Sequence, residues 1–103
     1  MSKRLAFLEQ TTRAGKADAF AWYALALEYR TLERHDEALA TFEQLRTEHP
    51  GYVPAYLMRA QLLGQLGRRD EARAACDEGI AKARAAGDAH AQSELEDLRA
   101  SFV

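Results

Sequence analysis

The chain has 103 residues and a net charge of −2, with 29% of its residues charged and both signs represented. That length suits one domain with a single core, and a near-neutral mixed surface lacks the net basic face of a nucleic-acid binder. No uncharged run approaches the ~20 apolar residues of a membrane helix, Ser2-Lys3-Arg4 leads into only four apolar residues before Glu9, and a lone cysteine cannot form an internal disulfide. The expectation is a cytoplasmic chain of one domain, 1–103, with neither nucleic acid nor membrane as partner.

Ser2 is placed to cap a first helix with Leu5, Leu8 and Thr12 on one face and Gly15 ending it. Asp18 caps the next, predicted to run to about Leu32. That second helix has two apolar faces: Trp22, Leu25, Ala26 and Tyr29 recur at i, i+3, i+4, i+7, and Phe20, Tyr23, Leu27 and Arg30 fall on a neighbouring side. Glu33-Arg34-His35 is too short for anything but an antiparallel helix hairpin. Asp36 and Glu37 then suit the positive end of a third helix whose inner face is Ala38, Leu39, Phe42 and Leu45. His49-Pro50-Gly51 stops it.

A fourth helix starts with Pro54 in its first turn and turns Tyr56, Ala60 and Leu63 inward. Gly67 marks the following turn, and Asp70 and Glu71 begin a fifth helix. Lacking a proline, this one is predicted to continue through Ile80 and Ala83 toward Gly87, longer than its counterpart. Asp88 restarts the chain, and Ala91, Leu95, Leu98 and Phe102 give a last amphipathic stripe.

Residues 19–52 and 53–86 are two copies of one 34-residue pattern. Ala21/Ala55, Ala26/Ala60, Leu32/Leu66, Arg34/Arg68, Asp36/Asp70, Glu37/Glu71, Ala38/Ala72 and Ala40/Ala74 are identical in that register, against roughly three matches expected by chance from the composition. The period, with Trp22, Leu25, Ala26, Tyr29, Ala38, Phe42 and Pro50 at their spacings, resembles the tetratricopeptide repeat. Tyr56, Ala60, Gly67 and Ala72 agree with the pattern in the second copy, whereas Arg59, Cys76 and Arg84 stand where leucine, an aromatic and proline are usual. The resemblance covers residues 19–86. It implies an all-α fold of about six helices, antiparallel pairs stacked as a short right-handed α-solenoid, with 1–17 and 88–103 as capping helices. The caps bring the helix count to three pairs, and terminal caps with polar outer faces keep such arrays soluble.

Candidates for chemistry are few. His35, His49, His90 and Cys76 show none of the i, i+3, i+4 or short loop spacings of a zinc site. No nucleophile grouping, phosphate loop or carboxylate pair in an apolar setting is recognisable. No enzyme activity, metal or cofactor is expected.

The resemblance implies a protein-binding scaffold or adaptor, holding a peptide or helix of a partner in a concave groove lined by Phe20, Tyr23, Leu27, Arg30, Leu57, Met58 and Gln61. The family's charged clamp for acidic C-terminal peptides is not reproduced, since Tyr23 and Leu27 stand at its lysine and asparagine positions. An apolar-anchored ligand is therefore expected. The alternatives are that another copy of this chain fills the same face as a homo-oligomer, or that the terminal helices cover it. Arg34, Arg68 and Arg69, in equivalent turns, are a possible attraction for an acidic segment.

Overall fold

The computed structural model describes residues 2–15 and 17–102. Met1, Lys16 and Val103, which fall within the expected segments 1–17 and 88–103, lie outside the described residues. Six α-helices are present among the described residues: α1 (Lys3–Arg13), α2 (Ala19–Thr31), α3 (His35–Glu48), α4 (Pro54–Gln65), α5 (Arg69–Ala86) and α6 (Ala89–Ala100). The fold is all-α and built from antiparallel helix pairs.

The helix ends follow local chemistry. Ser2 Oγ accepts from Leu5 N at 3.1 Å, Asp18 Oδ1 from Ala21 N at 2.9 Å and Asp88 Oδ1 from Ala91 N at 3.0 Å, so each satisfies a backbone donor that has no partner inside its helix. Both hairpins close in the same way. Arg34 N donates to Tyr29 O and Arg68 N to Leu63 O, spanning a left-handed residue that is Glu33 (φ 59°) in the first and Gly67 (φ 77°) in the second. α5 has 18 residues against 14 in α3, as the missing proline predicts, and ends on left-handed Gly87.

The chain divides into two compact units, 1–49 and 50–103. In the first, α2 packs against α1 and α3. Its core is Leu5 and Leu8 from α1, Leu25, Ala26 and Tyr29 from α2, and Ala38, Phe42 and Leu45 from α3. Trp22, on the same face of α2 as Leu25, Ala26 and Tyr29, is only half-buried. Its counterpart Tyr56 is fully buried, and the reason lies in the paired helix. Tyr56 rests on the backbone of Gly79, where an added Cβ would come within 2.7 Å of Tyr56 Cβ, and the residue at that register position in the first unit is the bulkier Leu45.

In the second unit α5 packs against α4 and α6, and α6 also reaches α4. Val53, Ala83 and Leu95 form a buried cluster, with Leu57, Ile80 and Ala91 packed around it. Cys76 is fully buried where Phe42 stands in the first unit. Tyr56 Oη donates to Pro50 O at 2.6 Å, and Arg73 Nη1 donates to Phe102 O at 2.8 Å, holding the end of the chain to α5.

Candidate functional site

The side of α2 bearing Phe20, Tyr23 and Leu27 points away from the flanks that its own unit covers. One flank lies under α1, where Glu28 accepts a 2.8 Å hydrogen bond from Ser2 Oγ and sits 3.7 Å from Arg4. The other holds Leu25, Ala26 and Tyr29 in the core. Between them Phe20 is 65% exposed, an unusual fraction for a phenylalanine, and Tyr23, Leu27 and Arg30 are half-buried. Tyr23 and Arg30 also have partners within the chain. These residues recur at i, i+3 and i+7, with Arg30 at the edge of the stripe, so they offer one apolar strip on a rigid helix.

The α4 candidates have different surroundings. Leu57 is half-buried and packs on one side against the Val53, Ala83 and Leu95 cluster that α5 and α6 complete. Met58 and Gln61 are half-buried and have partners within the chain. One turn after Gln61, at Gly64, an added Cβ would stand 2.6 Å from the Phe102 ring. The last helix and the residues after it therefore occupy part of this unit's surface, which the residue pattern of α4 alone does not reveal. A glycine inside a helix, costing about 1 kcal/mol relative to alanine, was the available signal that something approaches the backbone there.

The arginines of the two turns are also engaged. Arg34 Nε and Nη2 donate to the Glu37 carboxylate, both at 2.6 Å, and Arg68 Nε and Nη2 donate to Glu71 at 2.9 and 2.8 Å. These are bidentate contacts of identical spacing in the two units. The hydrogen bonds to Glu37 raise the Arg34 pKa, and those from Arg68 hold Glu71 below its usual range. Arg34 also lies 5.0 Å over the Tyr29 ring. An acidic ligand would have to displace a carboxylate already in place, so the expected basic attraction is largely met inside the chain.

Tyr29 Oη donates to Glu9 Oε2 at 2.5 Å, joining α1 to α2. Burial first, and that hydrogen bond second, push its phenol up to about 12. Burial likewise pushes the Cys76 thiol up, keeping it protonated and weakly nucleophilic. Among the described residues no group of three or more His, Cys, Asp or Glu is placed to hold a metal, and no helix is long and apolar enough to cross a membrane.

Two family models described as tetratricopeptide repeat match the chain, over residues 30–99 and 6–53. Among solved structures it is similar to a tetratricopeptide repeat domain protein from Salinibacter ruber, with 36% identity over 82% of this chain and 86% of that one and a TM-score of 0.78. It is similar to a protein from Bordetella parapertussis at 25% identity, covering 99% of this chain and 89% of that one, with a TM-score of 0.84. PcrH from Pseudomonas aeruginosa shares the fold, with a TM-score of 0.77 at 15% identity over 99% and 94% of the two chains. No curated protein matches in sequence.

Proposed function

Because the chain belongs to the tetratricopeptide repeat family, whose domains are generally protein-interaction modules and generally non-catalytic, we propose that it is an adaptor that holds a peptide or helix of a partner protein against α2. The observation carrying this reading is the exposure of Phe20 beside Tyr23 and Leu27 on a helix whose remaining faces are occupied. An apolar segment of the partner would cover these three side chains, and Arg30 would meet a polar group at the margin of the contact. Met58 and Gln61 are further proposed contacts. Leu57, half-buried, is a proposed contact that also supports α4 through the Val53, Ala83 and Leu95 cluster. A cytoplasmic location is part of the same proposal, supported by a single buried thiol that calls for no oxidising compartment.

The test is a melt and a capture experiment on Phe20→Ser and Tyr23→Ser beside the wild type. Phe20→Ser should leave the melting temperature within about 2 °C, since little of its ring is buried to begin with. Proteins retained from an extract of the native cell by the immobilised wild type should be lost, and the purified partner should bind each variant about 1 to 3 kcal/mol more weakly, as for central interface residues. Leu57→Ser should instead lower the melting temperature. A partner that binds Phe20→Ser and Tyr23→Ser as tightly as the wild type would remove the strip from the contact.

A further inference from the structure

Each terminal helix has an outward face, and the two faces carry opposite charge. On α1 the exposed residues are Lys3, Arg4, Ala6, Phe7, Gln10 and Arg13, with Phe7 68% exposed and Arg4 near Glu28 of α2. The one carboxylate of that helix, Glu9, is turned to accept from Tyr29 Oη, so the outer face bears cations and no anion. On α6 the small residues Ala89, Ser93 and Ala100 line the outer face, bordered by Glu94, Glu96 and Asp97, all exposed. The only arginine of α6, Arg99, is held by Asp77 of α5 and does not offset these acids. Glu94 has His90 at 3.1 Å, Glu96 has Arg84 at 3.8 Å, and Asp97 makes no ion pair among the described residues.

The stripes also match in spacing. Lys3, Phe7 and Gln10 lie at i, i+4 and i+7, and so do Ala89, Ser93 and Glu96, with Ala100 one turn further. A bulky ring on one helix and a run of small side chains on the other is the complementarity that ridge-into-groove helix packing uses.

We propose that α1 of one molecule docks on α6 of a second copy of this chain, with Phe7 seated over Ser93, in the run of small residues between Ala89 and Ala100, and the cations of α1 set against the acids of α6, Glu94, Glu96 and Asp97. Opposite charges steer the approach and set the pairing, because α1 against α1 and α6 against α6 would each bring like charges together. Since the two docked faces are unlike, each copy offers one α1 and one α6, so association either closes as a reciprocal dimer, with both contacts made between the same two copies, or continues past it. This contact leaves the α2 strip free, so it stands apart from the adaptor reading.

Sedimentation of the 103-residue chain over a wide concentration range tests it. The mass should rise with concentration to that of a dimer or beyond in low salt, and the association should weaken roughly tenfold in about 0.5 M salt, where charges are screened within a few ångströms. Glu94→Lys/Asp97→Lys and Lys3→Glu/Arg13→Glu should each be monomeric alone, and an equimolar mixture should associate again, because each reversed face then meets its opposite on the other variant. Phe7→Ser should weaken the wild type at least about tenfold, as loss of a buried interface aromatic does. Circular dichroism matching the wild type identifies folded variants, and Lys3→Ala/Arg13→Ala serves if a reversal unfolds the chain. A wild type that stays monomeric throughout overturns the proposal. Charge-reversed variants that keep the wild-type mass, or a mixture that fails to associate, overturn it equally. A monomer that binds an acidic amphipathic peptide through Phe7 would assign the face to a foreign helix and overturn it too.

Discussion

Tyr29 shows how one side chain ties neighbouring helices together and makes their union depend on pH. Its phenol is neutral in the fold, donating to Glu9, with Arg34 over the ring. The folded pKa of about 12 lies above the ordinary value of 10.0, so the fold favours the protonated phenol. The stabilisation is therefore complete below about pH 10 and is lost as pH rises through about 12. Two units correspond to at most about 2 to 3 kcal/mol. Tyr29→Phe should cost about 1 kcal/mol at pH 8, through the lost hydrogen bond. The gap between the two proteins should then shrink between pH 10 and 12, as the wild type alone suffers this deprotonation. Melts at a series of pH values check it, and a gap that stays constant from pH 9 to 12 would mean that the fold does not favour the neutral phenol.

At the scale of elements, the second unit is built around close approaches at two helical glycines, and their neighbours differ in how far they can yield. A Cβ at Gly79 would meet Tyr56 Cβ at 2.7 Å and the Leu95 methyls at 3.0 and 3.1 Å, so α4, α5 and α6 would all have to shift. A Cβ at Gly64 would meet only the outer edge of the Phe102 ring, which can turn away. Alanine gains about 1 kcal/mol of helix propensity at either site, and overpacking costs about 1 to 3 kcal/mol where the surroundings cannot move. Gly79→Ala should therefore destabilise the protein by up to about 2 kcal/mol and leave it less stable than Gly64→Ala, where the ring can turn away. Urea denaturation of both variants decides this, and the reverse order of stabilities would contradict the packing of α4 on α5.

For the whole molecule, net charge governs how copies meet. The isoelectric point is about 5.9, so self-repulsion weakens as pH falls from 8 toward that value. Light scattering in low salt should show the second virial coefficient dropping over that interval, and added salt should flatten the trend. A coefficient independent of pH would show that charge does not control the approach of one copy to another.

What was legible in the residues was local. The caps at Ser2, Asp18 and Asp88, the turns at Gly67 and Gly87, the longer α5 and the 34-residue period all depend on groups within a turn or two of one another, so the chain specifies them without knowing what lies above. Burial was a different matter. Trp22 and Tyr56 occupy equivalent positions, yet only Tyr56 is fully buried, packed on Gly79, whose register counterpart in the first unit is the bulkier Leu45. Leu57 matches Tyr23 in register and, half-buried, packs on one side against a cluster completed by Leu95, 38 positions away along the chain. Arg34 and Arg68 read as available cations until their geometry placed each on its own glutamate. The sequence by itself determined the helices, their ends and their pairing into hairpins. Tertiary structure decided which apolar faces remain open, because exposure depends on which distant element comes to rest on a face, and spacing within one helix carries no record of that.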